Sequence, residues 1–361
     1  MALAAIAAVV AVWIATATRP SDEEHPPAER NTASFTVDPV EVRITPGKAR
    51  TLAARSVAPG VTALALPSMH SAPRAIAIGD DGSIWVTLQS RGAVARLEDA
   101  SAGGVTYTGF RMPESGSNPF TPVIGPDGAL WFTDYALSTV TRLDADGTVD
   151  FFADPFNDGG PLGMAVGPDG RLWFTDAPGR AIVTLTTDGR FTPIATASRR
   201  SAPYRVAAGS DAVWVTDPGA DAVLRTAGLD TAPTVIQLPT PRSDPYGIAM
   251  GDDGSAWVTE QGVNSIARID DDGTVVEFPL PRPAGEPAGI TTAPDGSFWV
   301  TDAARPRVFH IASDGAVEQV VALDPEAASL DGIAVAPDGI IWVAAVDGNQ
   351  LIRIDPAALG G

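Results

Sequence analysis

The residues best placed to do chemistry in this chain of 361 residues recur at one position in seven successive units: Arg74, Phe120, Leu162, Tyr204, Tyr246, Ala288 and Asp331, six of them directly after a proline. The residue type changes from unit to unit, as a recognition surface requires and a structural repeat does not. Arg74 and Arg205 each offer a planar fork of N–H donors suited to a carboxylate or another anion. Tyr204, Tyr246 and Phe120 would supply flat apolar walls, and Asp331 a charge of opposite sign. Arg205 also replaces the glycine that four other units carry as Gly163, Gly247, Gly289 and Gly332. Asp244 and Glu286, one residue before their prolines, could join Asp331 in holding a divalent cation, Mg²⁺ or Ca²⁺. The expected site is a mouth of mixed charge that receives a small molecule, peptide or protein on Arg74, Phe120, Tyr204, Arg205, Tyr246 and Asp331. None of these residues is assigned as catalytic.

A second set of polar positions reads as structure. Leu88, Asp134, Asp176, Asp217, Glu260, Asp302 and Ala345 each follow a tryptophan by three. Acid in five of seven units suits a carboxylate that caps its own loop by accepting backbone N–H groups. Asp144-Ala145-Asp146-Gly147 and Asp270-Asp271-Asp272-Gly273 resemble the start of a calcium loop but lack the later glutamate, and they read as turns. The histidines, His25, His70 and His310, are too scattered to form a metal cluster.

The elements that must position these residues follow from the tryptophans. Trp85, Trp131, Trp173, Trp214, Trp257, Trp299 and Trp342 are separated by 46, 42, 41, 43, 42 and 43 residues. A period in the low forties with several strand signals per unit indicates a β-propeller blade. Ile248-Ala249-Met250, the turn Asp252-Asp253-Gly254, Trp257-Val258-Thr259-Glu260, Ile266-Ala267-Arg268-Ile269, the turn Asp271-Asp272-Gly273 and Thr274 to Phe278 supply strands A, B, C and D of one unit. Each tryptophan would bury roughly 150–250 Å² between blades, worth about 4–6 kcal/mol before chain entropy. The fold class is all-β: a seven-bladed propeller of four-stranded antiparallel blades. The last unit ends after strand C, and Val61 to Leu66 has the pattern of a D strand, so the N-terminal strand is expected to complete the last blade and remove two open edges. In such a ring the D–A and B–C loops share one face, where a site belongs, and the Asp-Gly turns share the other.

Composition narrows the partners. With 24 basic and 44 acidic residues the formal charge is −20, which disfavours nucleic acid and anionic lipid. The absence of cysteine excludes disulfides and thiolate metal sites. Residues 1–18 are almost wholly apolar with Ala15-Thr16-Ala17 as a small-residue cleavage site, which reads as a signal peptide or signal anchor. The protein is therefore expected outside the cytoplasm, secreted or membrane-anchored, with membrane contact only through this segment. Residues 19–56 read as a tether that can form a short hairpin from Phe35-Thr36-Val37 and Val40 to Ile44, and residues 57–361 as the propeller.

Units of the form Gly125-Pro126-Asp127-Gly128-Ala129-Leu130-Trp131-Phe132-Thr133-Asp134, preceded by Pro-x-Gly-Ile and followed by Arg-Ile-Asp-x-Asp-Gly, resemble the virginiamycin B lyase (streptogramin lyase) family of seven-bladed propellers over about residues 61–355. The resemblance implies elimination of the ester of a cyclic depsipeptide antibiotic, aided by Mg²⁺ and a histidine base. It places histidines at the sixth and seventh strand A starts and a glutamate in the seventh B–C loop. This chain reads Glu286-Pro287-Ala288 and Ser329-Leu330-Asp331 at the first two, and Ala344-Ala345-Val346-Asp347 at the third, so both histidines are absent. Three functions are therefore weighed: a binding propeller, a lyase or lactonase-type enzyme whose metal is held by carboxylates, and an envelope-anchored scaffold or sensor.

Overall fold

Each forty-residue unit folds into an antiparallel sheet because its strands are short, alternating and separated by residues suited to tight turns. In the fifth unit these are Pro245–Met250, Ala256–Glu260, Ser265–Ile269 and Val275–Pro279. Between the first two, Gly254 sits at φ +83° and the Asp253 side chain accepts the N–H of Ser255 at 3.0 Å, the local chemistry of an Asp-Gly turn. The computed structural model describes residues 34–359 except 69, 100–103, 157–159, 197 and 199, so the expected signal or anchor segment and residues 19–33 of the tether lie outside the described residues.

Seven such sheets form the ring. All seven repeated tryptophans lie on strand B and are at most 7% exposed, packed into the space between one blade and the next. Trp131 stacks on Phe152 of its own blade at 5.3 Å and shares a cluster with Phe174 and Val183 of the third. Trp257 lies 4.5 Å from Phe298 of the sixth. The core is thus a set of layers between blades, and no blade buries its face alone.

The last blade consists of Leu330–Val335, Ile341–Ala345 and Gln350–Ile354, closed by Val61–Ala65, whose Val61 pairs with Ile354 and Ala65 with Gln350. The N-terminal stretch departs from expectation. Phe35-Thr36 and Val40 to Arg43 do not pair with each other. They belong to a belt of β1 (Phe35–Thr36), β2 (Val40–Arg43), β3 (Arg50–Thr51) and β4 (Ala53–Ala58). These add a fifth strand to blades three, two, one and seven in turn. An open outer edge offers unpaired N–H and C=O groups, and four of them take these short strands in preference to a free hairpin. Blades four, five and six remain four-stranded, with Val235, Val276 and Val320 exposed on their outer strands.

Candidate functional site

The channel face is set by a bulge at the start of strand A. In six blades the A–B register slips at this point, for instance between Pro119 and Pro122, which frees the residues of the variable position from the ladder. The threonine two residues after six of the seven tryptophans bridges the gap. Thr175 Oγ1 accepts the N–H of Gly163 at 3.0 Å and donates to the Tyr204 carbonyl of the next blade at 2.8 Å. Thr87, Thr133, Thr216, Thr259 and Thr301 make the same donation to Phe120, Leu162, Tyr246, Ala288 and Asp331. Sequence reasoning assigned these threonines no role, although their recurrence at six of seven units was visible; the seventh is Ala344. Glycine after the variable position is explained by the same close approach: a Cβ on Gly163 would lie 2.3 Å from the Tyr204 carbonyl oxygen.

These bolts bring the six expected binding residues together. Arg74 crosses from blade one, its Nε 2.8 Å from Asp331 Oδ2 and its Nη2 donating to the hydroxyls of Tyr204 and Tyr246, each at 2.9 Å. Arg205 places Nη2 3.2 Å from Asp331 Oδ1 and donates from Nη1 to Thr121 Oγ1 at 3.1 Å. Tyr204 donates to Tyr246 at 3.0 Å, and Tyr246 to Asp331 Oδ2 at 3.3 Å. The Phe120 ring lies beneath both guanidinium groups, at 4.7 Å from Arg74 and 5.0 Å from Arg205. The cluster is largely withdrawn from solvent: the Arg74, Arg205 and Asp331 side chains are 23%, 14% and 7% exposed.

Burial disfavours the charge on each arginine, but the Asp331 carboxylate together with the Tyr204 and Tyr246 phenols outweighs it and holds both above the ordinary arginine value. Burial, reinforced by the Asp331 charge, pushes the Tyr246 phenol well up, so it remains a donor. Two guanidinium groups face one carboxylate, leaving one net positive charge. The carboxylate between the arginines is the chain's own, that of Asp331.

The second ring behaves as loop capping. Asp134 accepts from Ser117 Oγ at 2.5 Å, Asn118 N at 2.9 Å and Leu137 N at 3.1 Å. Asp217 accepts from Ser201 Oγ at 2.6 Å and Ala202 N at 2.7 Å, and Asp302 from Glu286 N and Ala304 N, both at 3.0 Å. The caps reach beyond the B–C loop to the D–A loop beside it. Burial raises Asp134 and Asp217 above the usual carboxylate range against the pull of these bonds.

The metal candidates are not brought together. Asp331 is drawn into the arginine cluster, whereas Asp244 and Glu286 sit in loops whose N–H groups are tied to Asp221 and Asp302. Among the described residues no three His, Asp or Glu side chains form a set able to hold a metal ion. At the family's histidine positions, Ala288 offers no ligand and Asp331 lies beside two guanidinium groups that repel a cation, so these residues do not fit Mg²⁺. His310 stacks on Trp299 at 4.5 Å with Nε2 2.8 Å from Ser297 Oγ, a structural placement.

The sequence model of the virginiamycin B lyase family matches residues 59–354. A streptogramin B lyase structure superposes with a TM-score of 0.76 at 27% identity, covering 82% of this chain and 97% of that one. The virginiamycin B lyase from Staphylococcus aureus gives 0.75 at 27% identity over 81% and 98%, and so does its catalytically inactive histidine-to-alanine variant with quinupristin. A gluconolactonase from Xanthomonas campestris shares the fold at a TM-score of 0.54 and 17% identity, covering 87% of this chain and 99% of that one. No curated protein matches the chain.

Proposed function

The chain belongs to the virginiamycin B lyase family, and within it we propose an exported binding propeller that recognises a carboxylate or other anionic group of a small molecule, peptide or protein at the Arg74–Arg205 mouth. The observation that carries this reading is the convergence of two arginines and the Tyr246 hydroxyl on the single carboxylate of Asp331, with the Tyr204 hydroxyl and the Phe120 ring set against the same guanidinium groups. In this reading Asp331 is an internal stand-in that an incoming anion displaces or joins. The tyrosines orient the guanidinium planes, and Phe120 stiffens them from below.

Elimination is the less supported reading. A general base must come within about 3 Å of the proton it removes. Ala288 cannot act as one, and the oxygens of Asp331 already face two guanidinium groups and a phenol. No step through Mg²⁺ is derived. Calorimetric titration with tetrapeptides bearing a free or an amidated C-terminus tests the proposal, using Arg205→Ala and, as control, Arg142→Ala, whose arginine pairs with Asp127 and Asp144. The free carboxylate is expected to bind the wild type and Arg142→Ala but not Arg205→Ala. Equal binding, or equal loss, in the two folded variants would remove the mouth from consideration.

A further inference from the structure

One acid of the second ring departs from the others. In blades two and four the serine and the next backbone N–H of the D–A loop cap the ring carboxylate, as Ser117 and Asn118 do for Asp134 and Ser201 and Ala202 do for Asp217. In blade five the equivalent donors turn elsewhere. Ser243 Oγ and Asp244 N both go to Asp221 Oδ1 at 3.2 Å, and Arg242 N goes to Asp221 Oδ2 at 2.6 Å. Asp221 holds the left-handed position of the blade-four B–C loop, at φ +53°, and reaches across to this loop. Glu260 is left fully buried with neither carboxyl oxygen paired to a donor.

Its surroundings offer no positive charge. Strand D of the same blade presents Glu277, the blade-four loop presents Asp221, and the D–A loop carries Asp244, while Arg242 is exposed and strand C contributes the neutral Ser265. A buried ionised carboxylate without donor or cation is costly, and two carboxylates in contact do not both ionise. Burial, then the charge and hydrogen bonding of Glu277, push Glu260 up to about 8. Glu277 is the fixed partner: it accepts from Thr240 N at 2.9 Å and Thr240 Oγ1 at 2.5 Å. Glu260 itself pairs in the ladder with Pro245, the residue before Tyr246. Glu277 thus holds the start of the loop 239–244 at Thr240, and Glu260 lies beside its end at Pro245.

We propose that Glu260 keeps its proton at neutral pH, donates it to Glu277, and so locks the loop that delivers Tyr246 to the arginine cluster, a lock released in mildly alkaline solution. This stands on the burial and partners of Glu260 and requires no ligand at the mouth. The folded state holds this proton where the unfolded chain has lost it. The stabilisation is fully present below the ordinary glutamate range and is lost as pH rises towards about 8.

The test is a carboxyl-carbon NMR titration of protein labelled at glutamate, with melting temperature followed across the same pH range. One glutamate resonance is expected to titrate near pH 8 and to vanish in Glu260→Gln, an isosteric change whose amide can still donate to Glu277. The wild type should lose melting temperature relative to that variant between about pH 5 and about pH 8, and amide protection at 239–247, taken against the intrinsic base-catalysed exchange rate, should fall above that range in the wild type alone. Glu277→Gln should move the Glu260 midpoint downward. The absence of a glutamate titrating above the ordinary range, parallel melting profiles, or an unmoved midpoint in Glu277→Gln would each overturn the proposal.

Discussion

At the scale of single residues, the ring depends on a few side chains that serve two blades at once. Thr175 satisfies a backbone N–H at the bulge of its own blade and a carbonyl of the next. Thr175→Val should therefore cost about 1–3 kcal/mol in denaturant unfolding, more than the near-isosteric shape change would suggest. Trp173, 2% exposed between blades three and four, should cost about 3–5 kcal/mol when changed to alanine. Asp331 makes a different prediction, because its removal leaves two largely buried guanidinium groups against the Phe120 ring without their shared carboxylate. Asp331→Ala should melt lower than the wild type in chloride, and added acetate or sulfate at constant ionic strength should restore it, with a smaller effect on the wild type. Equal response of the two proteins would mean that the arginines do not form an anion site.

At the scale of elements, the N-terminal stretch does two jobs of unequal weight. Among the described residues the strand Val61–Ala65 is the partner for the outer side of Gln350–Ile354, and it closes the ring. The belt before it adds short ladders to sheets that are already complete, anchored by the Arg55–Asp324 ion pair and buried Leu52. A chain starting at residue 59 is expected to fold with a lowered melting temperature, whereas one starting at residue 67 should lose cooperative unfolding, as followed by tryptophan fluorescence. The belt was not legible in the sequence because Phe35-Thr36 and Val40 to Arg43 alternate as a hairpin would. Only the positions of the outer strands of blades one to three show that each has a better partner.

At the scale of the whole molecule, the family and the missing histidines yield a prediction about activity: quinupristin should not be linearised at rates typical of an enzyme. General-base catalysis contributes about 10²–10⁴-fold, and Ala288 and Asp331 stand where the resemblance places the bases. Linearisation abolished by Asp331→Ala would show that a carboxylate has taken over that role. The sequence alone determined the blade number, the place of each tryptophan, the closing strand and the set of residues at the mouth, because a repeat writes its strand order and inward positions into its period. It did not determine how those mouth residues satisfy one another. Arg74 lies 257 residues from Asp331 and 130 from Tyr204 along the chain, and only closure of the ring puts them across one axis. The metal candidates show the same limit, since Asp331 is drawn to two arginines across the channel while Asp244 and Glu286 stay in loops held through their backbone N–H groups. Glu260 shows it most sharply. In sequence it is one more acid after a tryptophan; its isolation comes from Asp221 on the neighbouring blade taking the donors it would have used.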